Sequence, residues 1–219
     1  AMRMRLIIRM IVIAAVCGAG VSRAQDALGG RSLRRSVVGS PHDLSVSGPG
    51  EIHALYEEQV CVFCHTPHRA SGQSPLWNRH MPPTHYRIYE SSTTDARIDQ
   101  PSGPSMKCLS CHDGALSLGL ITSREPNDPI LMTHRTIPPG ESDLTKDLSD
   151  DHPIGFRYDR ALAHRDDQIK NPDLVTEELP LGPHGEMQCT TCHDPHDNSL
   201  GNFLHVTDER SAICLSCHE

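Results

Sequence analysis

The sequence predicts a mostly irregular, loop-rich fold with a few short α-helices, whose interior is not filled by side chains alone. The mean hydropathy is −0.42 and only 4% of the 219 residues are aromatic, so an ordinary apolar core would be thin. The chain has 17 prolines and 16 glycines, scattered without a period, which favours loops over collagen or one low-complexity block. Another component must therefore supply much of the core.

The cysteines identify that component. Eight of the nine lie in four Cys-x-x-Cys-His motifs. Two thiols one helical turn apart can each form a thioether with one vinyl group of a haem, and the adjacent histidine then binds the iron as proximal ligand. The sequence thus predicts four covalently attached c-type haems, numbered here by motif. The motif cysteines are Cys61, Cys64, Cys108, Cys111, Cys189, Cys192, Cys214 and Cys217, and the proximal histidines are His65, His112, His193 and His218.

Two other readings of these cysteines are zinc binding and disulfide formation. Paired Cys-x-x-Cys units suit tetrahedral zinc, and an exported protein can oxidise its thiols. Neither explains why a histidine follows the second cysteine in all four motifs. Porphyrin faces would also replace the missing aromatic core, because their burial contributes about 25 cal/mol per Å².

An internal duplication is visible in the order of the motifs. The first and third continue as Cys-His-x-Pro-His, whereas the second and fourth share Cys-Leu-Ser-Cys-His followed by an acidic residue. We therefore divide the chain into an N-terminal segment 1–24, a first dihaem half 25–125, a Pro-rich connector 126–147 and a second dihaem half 148–219. Short helices are expected around 106–116, 158–167 and 208–217, and ordered loops around 71–105 and 122–151.

The distal iron ligands are expected among the other eleven histidines. Each half offers one histidine three residues beyond a proximal one and one upstream histidine beside a proline, and these four are His68, His196, His42 and His152. The remaining histidines are more typical of surface residues or propionate partners; they are His53, His80, His85, His134, His164, His184 and His205. Methionine could also ligate, at a higher potential, but buried methionine more often fills gaps.

The N-terminal segment has the features of an export signal. Arg3 and Arg5 precede an apolar run over 10–21, and small residues allow cleavage after Ala24. Two other interpretations of this segment are a retained membrane anchor and, third in order, a lipid anchor attached at Cys17. Without 1–24 the chain carries 16 basic and 28 acidic residues, a formal charge of −12. That charge argues against nucleic acid as a partner.

The sequence also resembles a known family, the tetrahaem multihaem cytochromes of the OmcE type. The resemblance covers nearly the whole mature chain and rests on the order of the four motifs together with the proline-adjacent histidines, including the runs over 39–50, 149–155 and 189–196. It implies a fold with little regular structure, polymerisation into extracellular filaments, and a continuous stack of haems. It also implies that His68 binds the haem iron of a neighbouring subunit.

These observations predict an electron-transfer protein and not an enzyme. The leading expectation is a subunit of an extracellular filament or cell-surface conduit, with itself, other redox proteins and extracellular acceptors as partners. The alternative is a membrane-anchored or soluble periplasmic donor to a redox complex. A multihaem reductase is least supported, because catalysis needs an open iron position while distal histidines are abundant here.

Overall fold

The computed structural model describes residues 36–71, 76–175 and 179–219. Most of this chain is loop. Its α-helices are α1 (Gly103–His112), α2 (Arg160–Arg165), α3 (Pro172–Val175), α4 (Cys189–Cys192) and α5 (Ala212–Cys217), with 3₁₀ turns at Val60–Phe63 and Glu209–Ser211. The described residues form isolated β-bridges but no β-strand.

All three helices expected from the sequence are present, with shifted bounds. Helix α1 ends at His112, four residues before the expected end, because Asp113 and Gly114 terminate it. Gly114 adopts a left-handed φ of 65°, and the Asp113 carboxylate accepts the Ala115 backbone N–H at 2.9 Å. Helix α2 begins where the Asp159 carboxylate accepts the backbone N–H of Leu162 at 2.9 Å. The one-turn helices were not expected individually.

Side-chain packing is divided among three small apolar clusters. The largest contains seven buried residues, including Phe156, Tyr158 and Leu162, and the other two contain four and three. The largest cluster also packs against Ile98, which precedes the connector. No single core therefore unites the described residues, and apolar contacts cross the predicted boundary between the halves.

A seam of buried polar contacts joins α1 to α4. The Ser105 hydroxyl donates to the Gln188 side-chain carbonyl at 2.5 Å and accepts the Cys189 backbone N–H at 3.0 Å. Ser105 is fully buried and Gln188 is 3% exposed. Nearby, Gly155 has a φ of 78°, and a Cβ there would lie 2.7 Å from the Asp99 carbonyl oxygen. These contacts bring the second and third motifs together.

The loops that follow the first and third motifs close with the same backbone pattern. In each loop a residue at positive φ (Leu76, 61°; Phe203, 56°) accepts a backbone hydrogen bond, and the next residue forms a β-bridge with the proximal histidine. The following residue donates its backbone N–H at 2.9 Å to the carbonyl of the second cysteine of the same motif. Its side chain contacts the carbonyl of the residue that follows the first cysteine of that motif. The corresponding positions are Leu76 and Phe203, Trp77 and Leu204, and Asn78 and His205.

Within the described ranges, no helix is long and apolar enough to cross a bilayer. The predicted export signal or anchor at 1–24, including Cys17, lies outside these ranges.

We predict that the haem-free chain does not fold. Three clusters of seven, four and three buried residues bury too little apolar surface for a chain of this length. Protein made without haem attachment should lack a cooperative thermal transition and should be digested rapidly by protease. The holoprotein, treated identically, is the control. A compact, protease-resistant haem-free chain would contradict this prediction.

Candidate functional site

Each motif forms a helical turn that places its two sulfurs and its imidazole on one face. In the first, third and fourth motifs the histidine backbone N–H donates to the carbonyl of the first cysteine, at 2.8, 3.0 and 2.9 Å. The second motif lies inside α1. Residues three and four positions apart share one side of a helix, so both cysteines can meet one porphyrin edge while the histidine reaches its centre. None of the eight motif cysteines forms a disulfide, so all eight are available for thioether bonds.

The predicted proximal and distal histidines come together in pairs, although their members are far apart in the chain. Two imidazoles that bind one metal from opposite sides, each with its nitrogen about 2 Å away, place their ring centres about 6 Å apart. Three pairs have ring-centre distances of 6.0, 6.1 and 6.5 Å. Each spacing fits one iron between two rings. The pairs are His65 with His196, His42 with His112, and His152 with His218.

Backbone carbonyls orient four of the histidines that the sequence predicts as iron ligands. The Nδ1 atoms of His112, His152 and His193 lie 2.7, 3.0 and 2.8 Å from the carbonyl oxygens of other residues, and His42 bonds to the Pro195 carbonyl. A carbonyl only accepts, so in the neutral rings of His112, His152 and His193 the proton is on Nδ1 and the bare nitrogen is Nε2. An unprotonated Nε2 is the atom that a haem iron needs.

Burial favours the neutral form of three of the paired histidines, His42, His65 and His152. It is the main cause that lowers the pKa of His42 to about 4, with the charge of His112 adding to the effect. The pKa values of His65 and His152 are also lowered, first by burial and further by His196 and His218 respectively. Near neutral pH these rings are therefore available to a metal without first losing a proton.

His193 and His68 have no such partner within the described residues. His193 is oriented by the Asn202 carbonyl, yet no second imidazole stands opposite it. His68 is exposed and held in a turn, in which the Thr66 hydroxyl donates to the His68 carbonyl at 2.6 Å. One predicted proximal and one predicted distal ligand thus remain unmatched within the chain.

The surplus histidines and the methionines have ordinary surroundings. None of the seven surplus histidines is buried, and His134 faces Glu51 at 3.5 Å. Met187 is 3% exposed within the largest apolar cluster, and Met106 and Met132 pack against the other two. Their positions fit packing roles.

An apolar cavity lies beside the third motif. Cys189, Cys192 and His193 form part of its wall, and the rest of the wall comes from both sides of the seam, including Leu109 and Met187. A concave apolar surface next to two thiols and an imidazole suits a porphyrin face. These residues therefore fit haem at the third motif.

The motif sulfurs are neighbours in chain order. The thiols of Cys108 and Cys189 lie within hydrogen-bonding distance of one another, and the Cys108 thiol lowers the pKa of Cys189 by stabilising its thiolate. Burial raises the pKa of Cys64 to about 12, and Cys111 raises it further. The pKa of Cys192 is likewise raised to about 11 by burial and by Cys217. The first motif therefore adjoins the second, the second the third, and the third the fourth.

Sequence reasoning missed the residues that position the ligands. The Phe203 ring stacks on His42, with ring centres 4.2 Å apart and planes 14° apart. The carbonyls that orient His112 and His193 belong to Ser142 and Asn202, which no motif distinguishes. A main-chain acceptor leaves no side-chain signature, so these contacts could not have been found from residue types.

Comparison with known proteins supports the motif reading. Residues 182–219, which contain the third and fourth motifs, match the family described as the doubled CXXCH motif. No curated protein matches the chain. The family match indicates a multihaem c-type cytochrome, with covalently bound c-type haem and electron transfer as the activity typical of the class.

We predict that His112→Ala alters the optical spectrum of one haem and leaves the others unchanged, because His112 is the proximal candidate of the second motif. Difference spectra of the oxidised and reduced variant measure the effect. His164→Ala, the same substitution at an exposed histidine of α2, is the control and should match the wild type. An unchanged His112→Ala spectrum would mean that the motif has been misread.

The ring planes predict a second spectroscopic result. The planes of His65 and His196 are 20° apart, whereas those of the other two pairs are 63° and 76° apart. The relative orientation of two axial imidazoles sets the orbital splitting of low-spin ferric iron. The electron paramagnetic resonance spectrum should therefore contain a rhombic signal from the near-parallel pair and strongly anisotropic signals from the crossed pairs. His196→Ala should remove intensity from the rhombic signal, and its full retention would refute the assignment.

Proposed function

We propose that this chain is an electron-transfer protein that carries four covalent haems, each with two histidine ligands, and that it polymerises into an extracellular filament. One observation carries the proposal. Three proximal candidates face a distal candidate at iron-spanning distance, while His193 and His68 are left over, one of each kind. A ligand exchanged between subunits would complete the set.

The paired histidines favour electron transfer over catalysis. A haem iron with two imidazole ligands accepts and releases one electron without opening a coordination position. Carbonyl contacts orient His112 and His152 through Nδ1, and burial favours the neutral, iron-binding form of His42 and His152. A reductase would need an iron from which a ligand is missing. In the proposed assembly, the exposed His68 of a neighbouring subunit provides the second ligand for the iron at His193.

The neighbouring sulfurs support a continuous path. Cys64 adjoins Cys111, the Cys108 thiol reaches Cys189, and Cys192 adjoins Cys217. Each of these contacts joins one motif to the next in the sequence. We infer that the haems follow one another in motif order, so that electrons pass between the first motif and the fourth through short steps.

The repeated loops support polymerisation. His196, which follows the third motif, reaches back to His65 of the first motif. His68 occupies the equivalent position after the first motif. The residue that corresponds to His65 in the second half is His193, so His193 is the equivalent target for His68. Within one chain His68 does not reach it. Suppose that the first half of a second chain packs against the second half of this chain in the way that the second half packs against the first. His68 of the second chain would then lie opposite His193 of this chain.

Such an arrangement is head to tail. The surface that donates His68 and the surface that contains His193 differ, so each subunit keeps one of each free and growth can continue. The acidic polypeptide, with 28 acidic against 20 basic residues over the whole sequence, is compatible with basic redox partners or with extracellular acceptors. We place the protein outside the cell or at its surface, with a periplasmic or membrane-anchored electron donor as the alternative.

We predict that His68→Ala abolishes filament assembly while all haems stay attached. Electron micrographs of the purified extracellular fraction measure assembly, and mass spectrometry counts the haems. The reduced variant should also bind carbon monoxide at one haem, because the iron opposite His193 loses its second ligand. His184→Ala, at an exposed histidine close to the third motif, is the matched control and should assemble normally without binding carbon monoxide.

The outcomes separate the two candidate functions. Normal filaments from His68→Ala would exclude the ligand exchange between subunits. Monodisperse wild-type particles of one chain, with or without a membrane anchor, would exclude the filament and favour the periplasmic or anchored donor.

A further inference from the structure

Arg79 is a buried cation without a counter-charge. It is 1% exposed, and no carboxylate of the described residues forms an ion pair with it. Its guanidinium donates to three backbone carbonyls, and its Nε is buried without a partner. The three acceptors are Leu118 at 2.8 Å and Ser110 and Ser117 at 3.1 Å each.

The charge of Arg79 is permanent and poorly screened. Arginine stays protonated at any pH that a protein tolerates, and a guanidinium taken out of water loses its hydration. Carbonyl dipoles solvate it in part, but they supply no negative charge. Its field therefore extends to its surroundings with little attenuation by solvent.

Those surroundings are the first two haem-attachment motifs. The preceding residue, Asn78, donates its backbone N–H to the Cys64 carbonyl at 2.9 Å. The guanidinium itself bonds to Ser110, which lies between the two cysteines of the second motif. Arg79 thus lies between the attachment edges of the first and second motifs.

The second half has no such cation at the equivalent position. Asn78 corresponds to His205 in the repeated loop, so the residue that corresponds to Arg79 is Val206. Val206 packs against the apolar cluster that contains Cys217 of the fourth motif, just as Arg79 contacts the second motif. The second half does have a cation near its fourth motif, since the Lys170 ammonium donates to the Leu215 carbonyl, but this lysine is only partly buried and solvent screens its charge. At the equivalent loop position the two halves therefore differ by one buried charge.

We propose that Arg79 raises the reduction potentials of the first two haems above those of the last two, so that each chain contains a step in potential at the seam. Reduction adds one electron to an iron and removes one unit of positive charge from its site. A fixed cation nearby stabilises the reduced form. The electron comes from the neighbouring haem, which is oxidised in the same step, and no proton or other reactant is required.

The expected size follows from Coulomb's law. A unit charge within about 10 Å of a redox centre, in a medium with an effective dielectric constant of about 20, changes the reduction equilibrium by roughly tenfold. For a one-electron couple, a tenfold change corresponds to about 59 mV. Lys107 is a second cation on this side, with its Nζ 5.8 Å from the centre of the Trp77 ring, but it is only partly buried and solvent screens it more strongly.

This inference rests on the proposed function only in requiring haems at the motifs, and it does not require a filament. The test is a redox titration of the full-length holoprotein, followed both optically and by electron paramagnetic resonance, in which the rhombic signal marks the first haem. Arg79→Met should lower the reduction potentials of the first two haems, with a change of about tenfold in the equilibrium constant for reduction of each haem. Arg79→Lys, which keeps the charge, should retain most of the wild-type potentials.

Arg97→Met is the matched control, since it removes the same charge from a side chain that is 90% exposed, and its potentials should equal those of the wild type. Equal shifts in Arg79→Met and Arg79→Lys, or no shift in either, would overturn the proposal. If Arg79→Met does not fold, Val206→Lys provides the reciprocal measurement: raised potentials of the last two haems support the proposal, and unchanged potentials overturn it. Missing haems would instead count against the proposed function, so the two failures are distinguishable.

Discussion

In the proposed haem sites, two imidazoles must be held about 6 Å apart, on opposite sides of one iron, by a chain that has little regular structure. Each pair joins residues that are distant in sequence, as His65 and His196 are. Loops can meet this requirement here because backbone carbonyls orient rings such as His112, and burial keeps rings such as His42 neutral. The short helices, the seam and the repeated loops all serve to bring these pairs together.

The sequence indicates which residues form this site, but not how they pair. The motif spacing identifies the cysteines and proximal histidines because thioether chemistry demands one helical turn between two thiols. Their positions next to a proline select His42, His152 and His196 as candidate distal ligands. The pairing within that set depends on how loops cross the seam, for example at Ser105 and Gln188, and residue types carry no signal for such contacts.

Helix bounds show the same limit on a smaller scale. The expected helix 106–116 runs instead over Gly103–His112, because Asp113 and Gly114 end it through a side-chain contact and a left-handed φ. Arg79 is a comparable case. An arginine in a Pro-rich loop would ordinarily be assigned to the surface, yet its guanidinium replaces the apolar contact that Val206 makes in the second half.

The repeated loops also have a consequence for stoichiometry. Within each chain the loop after the third motif is engaged, because His196 faces His65 of the same chain, whereas His68 after the first motif is left for a neighbouring chain. Nothing in that geometry closes a ring at a fixed number of subunits. The length of the polymer is then set by the supply of chains and by whatever ligates the iron at His193 of the terminal chain. An end cap would need no more than a single well-placed histidine, so a small protein or even free imidazole could act as a terminator of growth.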